Sequence, residues 1–506
     1  MSGTGRPRSF LKRIARITVV MLTAGAMTLA SVADGFAQRG GFSRGGGFGN
    51  GGRVPGGDGP RNPGGGYPGG PRFPGGGGGV LVPGGYGGGG TVVVVDDDDQ
   101  VAPRQRRNKK TAKKQKPQQQ LARRGGFSVP PPGESRFVPN EVLLNISAAT
   151  NVRAVDAIAR KYRLTRLDVQ DFTMTRHRLA RLRINDRRPV GAVIRSLQSD
   201  ARILGAQPNY LYAMQQAAAS EADPAQYSLA KLHLPQAHAL AKGEHVLVAV
   251  VDTAIDAAHP DLAGVIAASF DATGAADKPH PHGTGIASVI AAHGKLIGAA
   301  PAVRLLAAHA FSSAASDGSS VNILKGLDWA GKSKANIVNM SFAGPSDAEL
   351  HTMLAALRAN GAVLIAAVGN AGPKSAPLYP AADPNVIAVT ATDADDKAFA
   401  LANRGTHIAV AAPGVNILAA APEGSYLMQS GTSFAAAQVS GIVALLLERN
   451  PKLDAASIRR ILMATAHDLG VPGHDDQFGS GLADALAAVK AAGPKSSEVS
   501  GSAPSN

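Results

Sequence analysis

HVLVAVVD, residues 245–252, decides how the C-terminal half of this chain is read. It is an apolar run that ends on a carboxylate, as expected for a strand of a parallel sheet covered on both faces. Similar runs follow at VRLLAAHAF (303–311), NIVNMSF (336–342), AVLIAAVG (362–369) and VIAVTAT (386–392). Between them, residues 283–293, 320–331 and 347–359 read as helices. Apolar strands alternating with helices predict an α/β domain with a mainly parallel sheet over residues 227–490. In open sheets of this kind, groups that do chemistry sit at the carboxyl ends of strands.

Four side chains lie at such boundaries. Asp252 ends the first strand, where it can be shielded and can orient a histidine; alone it suits a turn equally well. His282 opens HGTGIASVIAAHG ahead of a helix, whose dipole bears on its pKa; alone it reads as a surface histidine. Asn370 follows the fourth run in VGNAGP, where its amide can donate to an oxyanion; alone it is a turn residue. Ser433, in GTSFAAAQVSG (431–441), sits where a loop becomes a helix, beside free backbone N–H groups. A serine there can attack a carbonyl, and it can also be an N-cap on a buried Ala-rich helix. Together they give Asp, His and Ser in that chain order within one domain, with Asn370 between His282 and Ser433.

This order and the local motifs resemble the subtilisin-like serine protease family (subtilases, peptidase S8). VAVVDTAIDAAHPDL (248–262) is similar to the family's aspartate motif, HGTGIASVIAA to its histidine motif and GTSFAAAQVSG to its serine motif. GAAP (298–301) and NMSFAG (339–344) match further segments. The resemblance implies a subtilisin-like three-layer α/β fold and an endopeptidase that works through an acyl-enzyme. Asp252, His282 and Ser433 would be catalytic, with Asn370 in the oxyanion hole. Ser341, Phe342, Ala343 and Gly344 would bind substrate on one side of the cleft, and Ala367 and Gly369 on the other. Leu378 falls where the family usually has a Gly at the floor of the primary specificity pocket, which implies a small residue such as Ala before the cut bond. Four departures, Ala254, Gly285, Ala437 and Gln438, remove none of the reacting groups.

The segment before this domain has its own pattern. FVPNEVLLNI (137–146) and LARLRI (179–184) alternate as strands, and ILGAQPNYLYAM (203–214) closes the unit as another. Residues 151–162 and 189–200 carry helical apolar spacing. The order predicts a small α+β domain over 137–216 with an antiparallel sheet. It resembles the family's inhibitory N-terminal prodomain, which implies a partner for the active site within the same chain. Residues 217–226 read as a processing linker, with self-cleavage between Gln215 and Gln226 after an alanine.

Further upstream, residues 1–37 read as a signal peptide: a basic start, a short apolar core at 17–30, then small residues. The expected locations are therefore periplasmic, secreted or cell-surface. Residues 38–136 are Gly/Pro-rich and then Lys/Arg-rich, a composition that cannot offset ordering entropy, and 491–506 form a tail of the same kind. Residues 1–225 carry 34 Lys and Arg against 15 Asp and Glu, while 226–490 carry 17 against 21. The basic charge thus belongs to the arm and says nothing about the substrate of the α/β domain. Its run at 104–124 reads as a solvated spacer or a contact for anionic surfaces; without aromatics to stack on bases, it predicts no specific nucleic acid.

The chain has no cysteine, which excludes disulfides, thiolate metal sites and a cysteine nucleophile. No cofactor or metal is required by this reading. The loop 291–298 is short where the family often carries a calcium loop, and Asp393, Asp395 and Asp396 offer at most a weak calcium site. The reading is a secreted serine endopeptidase that hydrolyses protein or peptide substrates and is processed from a zymogen. The alternative is a catalytically silent or self-cleaving-only scaffold of the same fold.

Overall fold

The computed structural model describes residues 126–215, 226–313 and 317–493. The signal-like segment, the arm up to residue 125 and the end of the tail lie outside these residues. The first part runs β1 (Phe137–Ser147), α1 (Val152–Lys161), β2 (Leu164–Phe172), β3 (His177–Ile184), α2 (Val190–Leu197) and β4 (Ile203–Met214). Its four strands pair antiparallel in the order β4-β1-β3-β2. One face of this sheet packs on Val155, Ile158, Val193 and Ile194 of the two helices. Both helices are amphipathic, and Asn151 caps α1 by accepting the Ala154 N–H at 2.9 Å. Phe127 and Val129 also pack on this core, so the ordered unit begins ahead of the expected boundary at 137.

The second part continues with α3 (Tyr227–Lys231), α4 (Leu234–His238), β5 (Leu247–Asp252), β6 (Ile266–Asp271), α5 (Pro281–Ala291), β7 (Arg304–His309), β8 (Asp317–Ser319) and α6 (Ser320–Lys332). Then come β9 (Ile337–Met340), β10 (Phe342–Ala343), α7 (Ala348–Ala359), β11 (Val363–Ala367), β12 (Val386–Thr392) and β13 (Ile408–Pro413). A hairpin, β14 (Ile417–Ala421) and β15 (Ser425–Gln429), precedes α8 (Thr432–Arg449), α9 (Ala455–Thr465) and α10 (Ala485–Ala491). Seven strands form one sheet in the order β13-β12-β11-β9-β5-β7-β6, and every pair in it is parallel.

Period-two alternation sends neighbouring residues to opposite layers. Val248 and Val250 face α5 and α8, whereas Ala249 and Val251 face α6 and α7. Burial on both faces is why these strands have no polar alternation. Helix α8 is buried along nearly its whole length, consistent with its Ala-rich sequence and lack of a polar face. The result is the three-layer α/β fold expected from the sequence. The outer face of the smaller sheet, through Leu143, Phe172, Leu179 and Tyr210, joins the same apolar cluster as α6 and α7.

Candidate active site

Asp252, His282, Asn370 and Ser433 stand on four separate elements. Asp252 is the last residue of β5 and is fully buried. One of its oxygens, Oδ1, accepts from the Thr253 N–H at 2.7 Å and the Thr253 hydroxyl at 3.0 Å. The same oxygen lies 2.8 Å from Nδ1 of His282, also fully buried. His282 is in the first turn of α5, where Pro281 fixes the backbone and the His280 ring accepts the His282 N–H at 3.1 Å. Helix α5 comes this close to β5 because residue 283 is glycine. A Cβ there would fall 2.6 Å from the Thr253 carbonyl oxygen. With Nδ1–H given to Asp252, the other nitrogen, Nε2, is left as a proton acceptor.

Ser433 enters α8 in its first turn, after Gly431 at φ 154°. Its one hydroxyl proton is shared between the carbonyl oxygens of Gln215 at 2.8 Å and Ser341 at 2.9 Å. Among the described residues, Nε2 of His282 has no hydrogen-bond partner, so the serine–histidine contact is not made in this state. Asn370 lies past the end of β11, with its Oδ1 accepting the Thr432 hydroxyl at 2.8 Å and the Thr432 N–H at 3.2 Å. Those two bonds turn its Nδ2 away from Thr432, and that atom is buried without a partner among the described residues. A Cβ on Gly431 would be 3.0 Å from this nitrogen and would collide with the Gln215 carbonyl oxygen. Gly431 thus leaves room for the Gln215 carbonyl on the side that faces the Asn370 amide.

Strand β4 leads to that point. It pairs antiparallel with β10 on one side, Met214 opposite Phe342 and Ala213 opposite Ala343. On its other side it pairs with β8, Leu211 opposite Ser319. Tyr212 is buried, its ring edge-on to Phe342 at 5.8 Å and its hydroxyl donating to the Pro345 carbonyl at 3.2 Å. Gly344 leaves room for that ring, since a Cβ on residue 344 would run into it. Of the expected cleft residues, Ser341, Phe342, Ala343 and Gly344 thus meet β4. Ala367 ends β11, and Gly369, at φ 109°, donates its N–H to the Thr432 hydroxyl at 3.3 Å. Leu378 is buried beside Gly369. The residue seated at Ser433 is Gln215, the first limit of the expected cleavage segment, while the linker residues 216–225 lie outside the described residues.

Some supporting groups gave no signal in the sequence. Asn339 donates to the Ser341 hydroxyl at 3.0 Å, and that hydroxyl donates to the Ser433 carbonyl at 3.1 Å, which ties β9 and β10 to α8. Thr253 and Thr432 stand beside motif residues, yet only the structure shows what each one holds. Ala254 lies outside the left-handed region, so its Cβ costs nothing there. Ala437 and Gln438 are buried in α8.

The acidic turn does not gather around a common point. Asp393 accepts the N–H groups of Asp395 and Lys397, Asp395 pairs with Lys397 at 3.1 Å, and Asp396 pairs with Lys231 at 2.7 Å. In the short loop before β7, Asp261 accepts the Lys295 and Leu296 N–H groups, while Gln226 exchanges two hydrogen bonds with Ile297. Among the described residues, no group of three or more His, Asp or Glu could hold a metal ion.

Residues 243–481 match the family model described as Peptidase_S8, the subtilase family. Subtilisin amylosacchariticus from Bacillus subtilis subsp. amylosacchariticus is 34% identical over 274 residues, covering 52% of this chain and 71% of its own. The chain belongs to the subtilase family. Subtilisin DY from Bacillus licheniformis is 35% identical over 257 residues, covering 49% of this chain and 92% of its own. Subtilisin Savinase from Lederbergia lenta is 34% identical over 270 residues, covering 52% and 98%. In three dimensions the chain is similar to fervidolysin from Fervidobacterium pennivorans, described as a keratinolytic enzyme related to subtilisin. That match has a TM-score of 0.63 at 23% identity and covers 74% of this chain and 63% of fervidolysin, a likeness of fold. This subtilase is a serine-type endopeptidase, and its substrates are proteins or peptides.

Proposed function

We propose that this subtilase is exported as a zymogen, cuts its own chain after Gln215 and keeps residues 126–215 in its cleft as an inhibitory prodomain. The observation that carries this reading is the Gln215 carbonyl at 2.8 Å from the Ser433 hydroxyl, at the end of a strand paired on both edges. Ser433 Oγ attacks that carbonyl carbon and its proton passes to Nε2 of His282. The C–N bond to Gln216 then breaks, and the same proton leaves on the amine. Water releases the acyl group by the reverse sequence. Asp252 holds the imidazole tautomer and stabilises the imidazolium. The Asn370 amide and the Ser433 N–H stabilise the oxyanion, in a site from which water is largely excluded.

The signal-like segment 1–37 would direct export, and the basic arm at 104–124 would meet anionic surfaces. No helix of the described residues is long and apolar enough to cross a membrane. A fluorophosphonate probe tests the nucleophile. Labelling of the wild type and not of Ser433→Ala supports the reading, and no labelling of the processed enzyme freed of residues 126–215 sinks it. A processed enzyme that takes the label yet cuts no added protein would limit the activity to the chain itself.

A further inference from the structure

Gln215 is held by its side chain as well as by its carbonyl. Its Oε1 accepts the backbone N–H of Asn370 at 2.6 Å, and its Nε2 donates to the Ala213 carbonyl at 2.7 Å. The residue is only 7% exposed. Both groups that meet the amide are fixed. The Asn370 N–H is set by the Gly369 and Thr432 contacts, and Ala213 is locked opposite Ala343 in β10. The protease part thus offers one fixed donor and the paired strand itself one fixed acceptor, and a side-chain amide of one length meets both.

We propose that these contacts make the enzyme select glutamine immediately before the bond it cuts, in protein substrates as in its own chain, with the Asn370 backbone N–H as the specificity-determining group. This rests on the reading of Gln215 as the residue cleaved. Glutamate keeps the acceptor for Asn370 but turns a charged oxygen toward the Ala213 carbonyl. Alanine and methionine leave both polar groups of the site without their partner, and burying an unmet polar group is costly. Asparagine is one methylene too short to reach both.

The test uses enzyme purified after processing of the full chain and freed of residues 126–215. Its substrates are peptides carrying Leu-Tyr-Ala-Met-X, the order of residues 211–214, with X as Gln, Glu, Asn, Ala or Met before one common leaving segment. The expected result is a kcat/KM for Gln about tenfold or more above each of the others, the size of a hydrogen bond lost from a buried site. An enzyme that cuts the Ala or Met peptide as well as the Gln peptide overturns the selectivity while leaving the processing reading intact. Enzyme that takes a fluorophosphonate label yet cuts none of the peptides overturns the inference and leaves self-processing intact, whereas a wild-type N-terminus within 217–226 removes the reading of Gln215 as the residue cleaved, and the inference with it.

Discussion

The Ser433 hydroxyl points at the carbonyl oxygen of Gln215, 218 positions earlier in the chain and 2.8 Å away. The serine is thereby turned to the occupant of the cleft while the His282 ring waits on Asp252. The histidine is held at 2.8 Å by Asp252, and its Nε2 has no partner among the described residues. Catalytic hydrogen bonds commonly tighten only on the way to the transition state.

Replacing Ser433 by alanine leaves the bond after Gln215 whole. Intact-mass measurement of the purified variant should show the uncut chain, while the wild type shows a new N-terminus at Gln216. A wild-type N-terminus within 217–226 would contradict the assignment of the cut to Gln215. A processed Ser433→Ala protein would mean that another protease does the cutting.

Thr432→Val keeps the volume of residue 432 and removes the hydroxyl that holds Asn370 Oδ1 at 2.8 Å. The carboxamide then loses its fixed orientation. The expected effect is a fall of about tenfold in kcat with KM little changed, because the amide matters most once the oxyanion forms. Asn370→Ala should cost about a hundred- to a thousandfold in kcat, the size known for the corresponding donor in subtilisin. Steady-state kinetics on one peptide substrate separates the two variants.

Tyr212 anchors β4 through Phe342 and the Pro345 carbonyl. Truncating it to alanine should weaken docking of the cleaved prodomain by about 3 kcal/mol, more than a hundredfold in inhibition constant. Gly344→Ala should do the same from the other side by filling the seat of the ring. The two changes together should cost less than their sum, because the smaller residue 212 frees the space that the new methyl takes.

Asp347 gives prodomain docking a pH dependence. It caps α7, accepts the Gln207 amide at 2.7 Å and the Ser320 hydroxyl, and has as its charged neighbour Glu349, which pairs with His177 at 3.0 Å. Burial pushes its carboxyl above the usual 3.8 against the pull of those hydrogen bonds, and the buried contact with Gln207 is part of the docked state. A carboxyl raised in the docked state holds a proton that the released state gives up. Its favourable contribution is therefore full below about pH 4 and is lost as pH rises through the raised value. Inhibition of the processed enzyme by its prodomain should weaken from pH 4 to 8, and Asp347→Asn should flatten the profile. A profile that strengthens with pH would refute this.

Five of the seven central strands were readable from residues 245–392, because burial on both faces removes polar positions and leaves plain apolar runs. The other two were not. IAASFD in β6 is an exposed edge, and IAVAAP in β13 is rich in alanine and closes on proline. In the smaller sheet LTRLDVQDF went unread as β2, since charged residues break its alternation on a half-exposed edge. Strands β8 and β10 have only three and two residues, and both are strands because β4 lies between them. The four residues of the site were legible through motifs that each stand at an element boundary. Gln215 was legible only as the near limit of the cleavage segment, since its exact contacts depend on how a strand of one sheet docks on the loops of another.

The position of β4 between β8 and β10 also says what kind of protein this enzyme can attack. Any segment that takes the place of β4 must lie extended for several residues and offer main-chain groups along both of its edges. A helix has its own groups committed, and an interior strand has both edges occupied. Extended stretches with free main-chain groups meet the requirement, so the cleft discriminates by backbone shape and favours loops and unfolded segments over packed helices and interior strands.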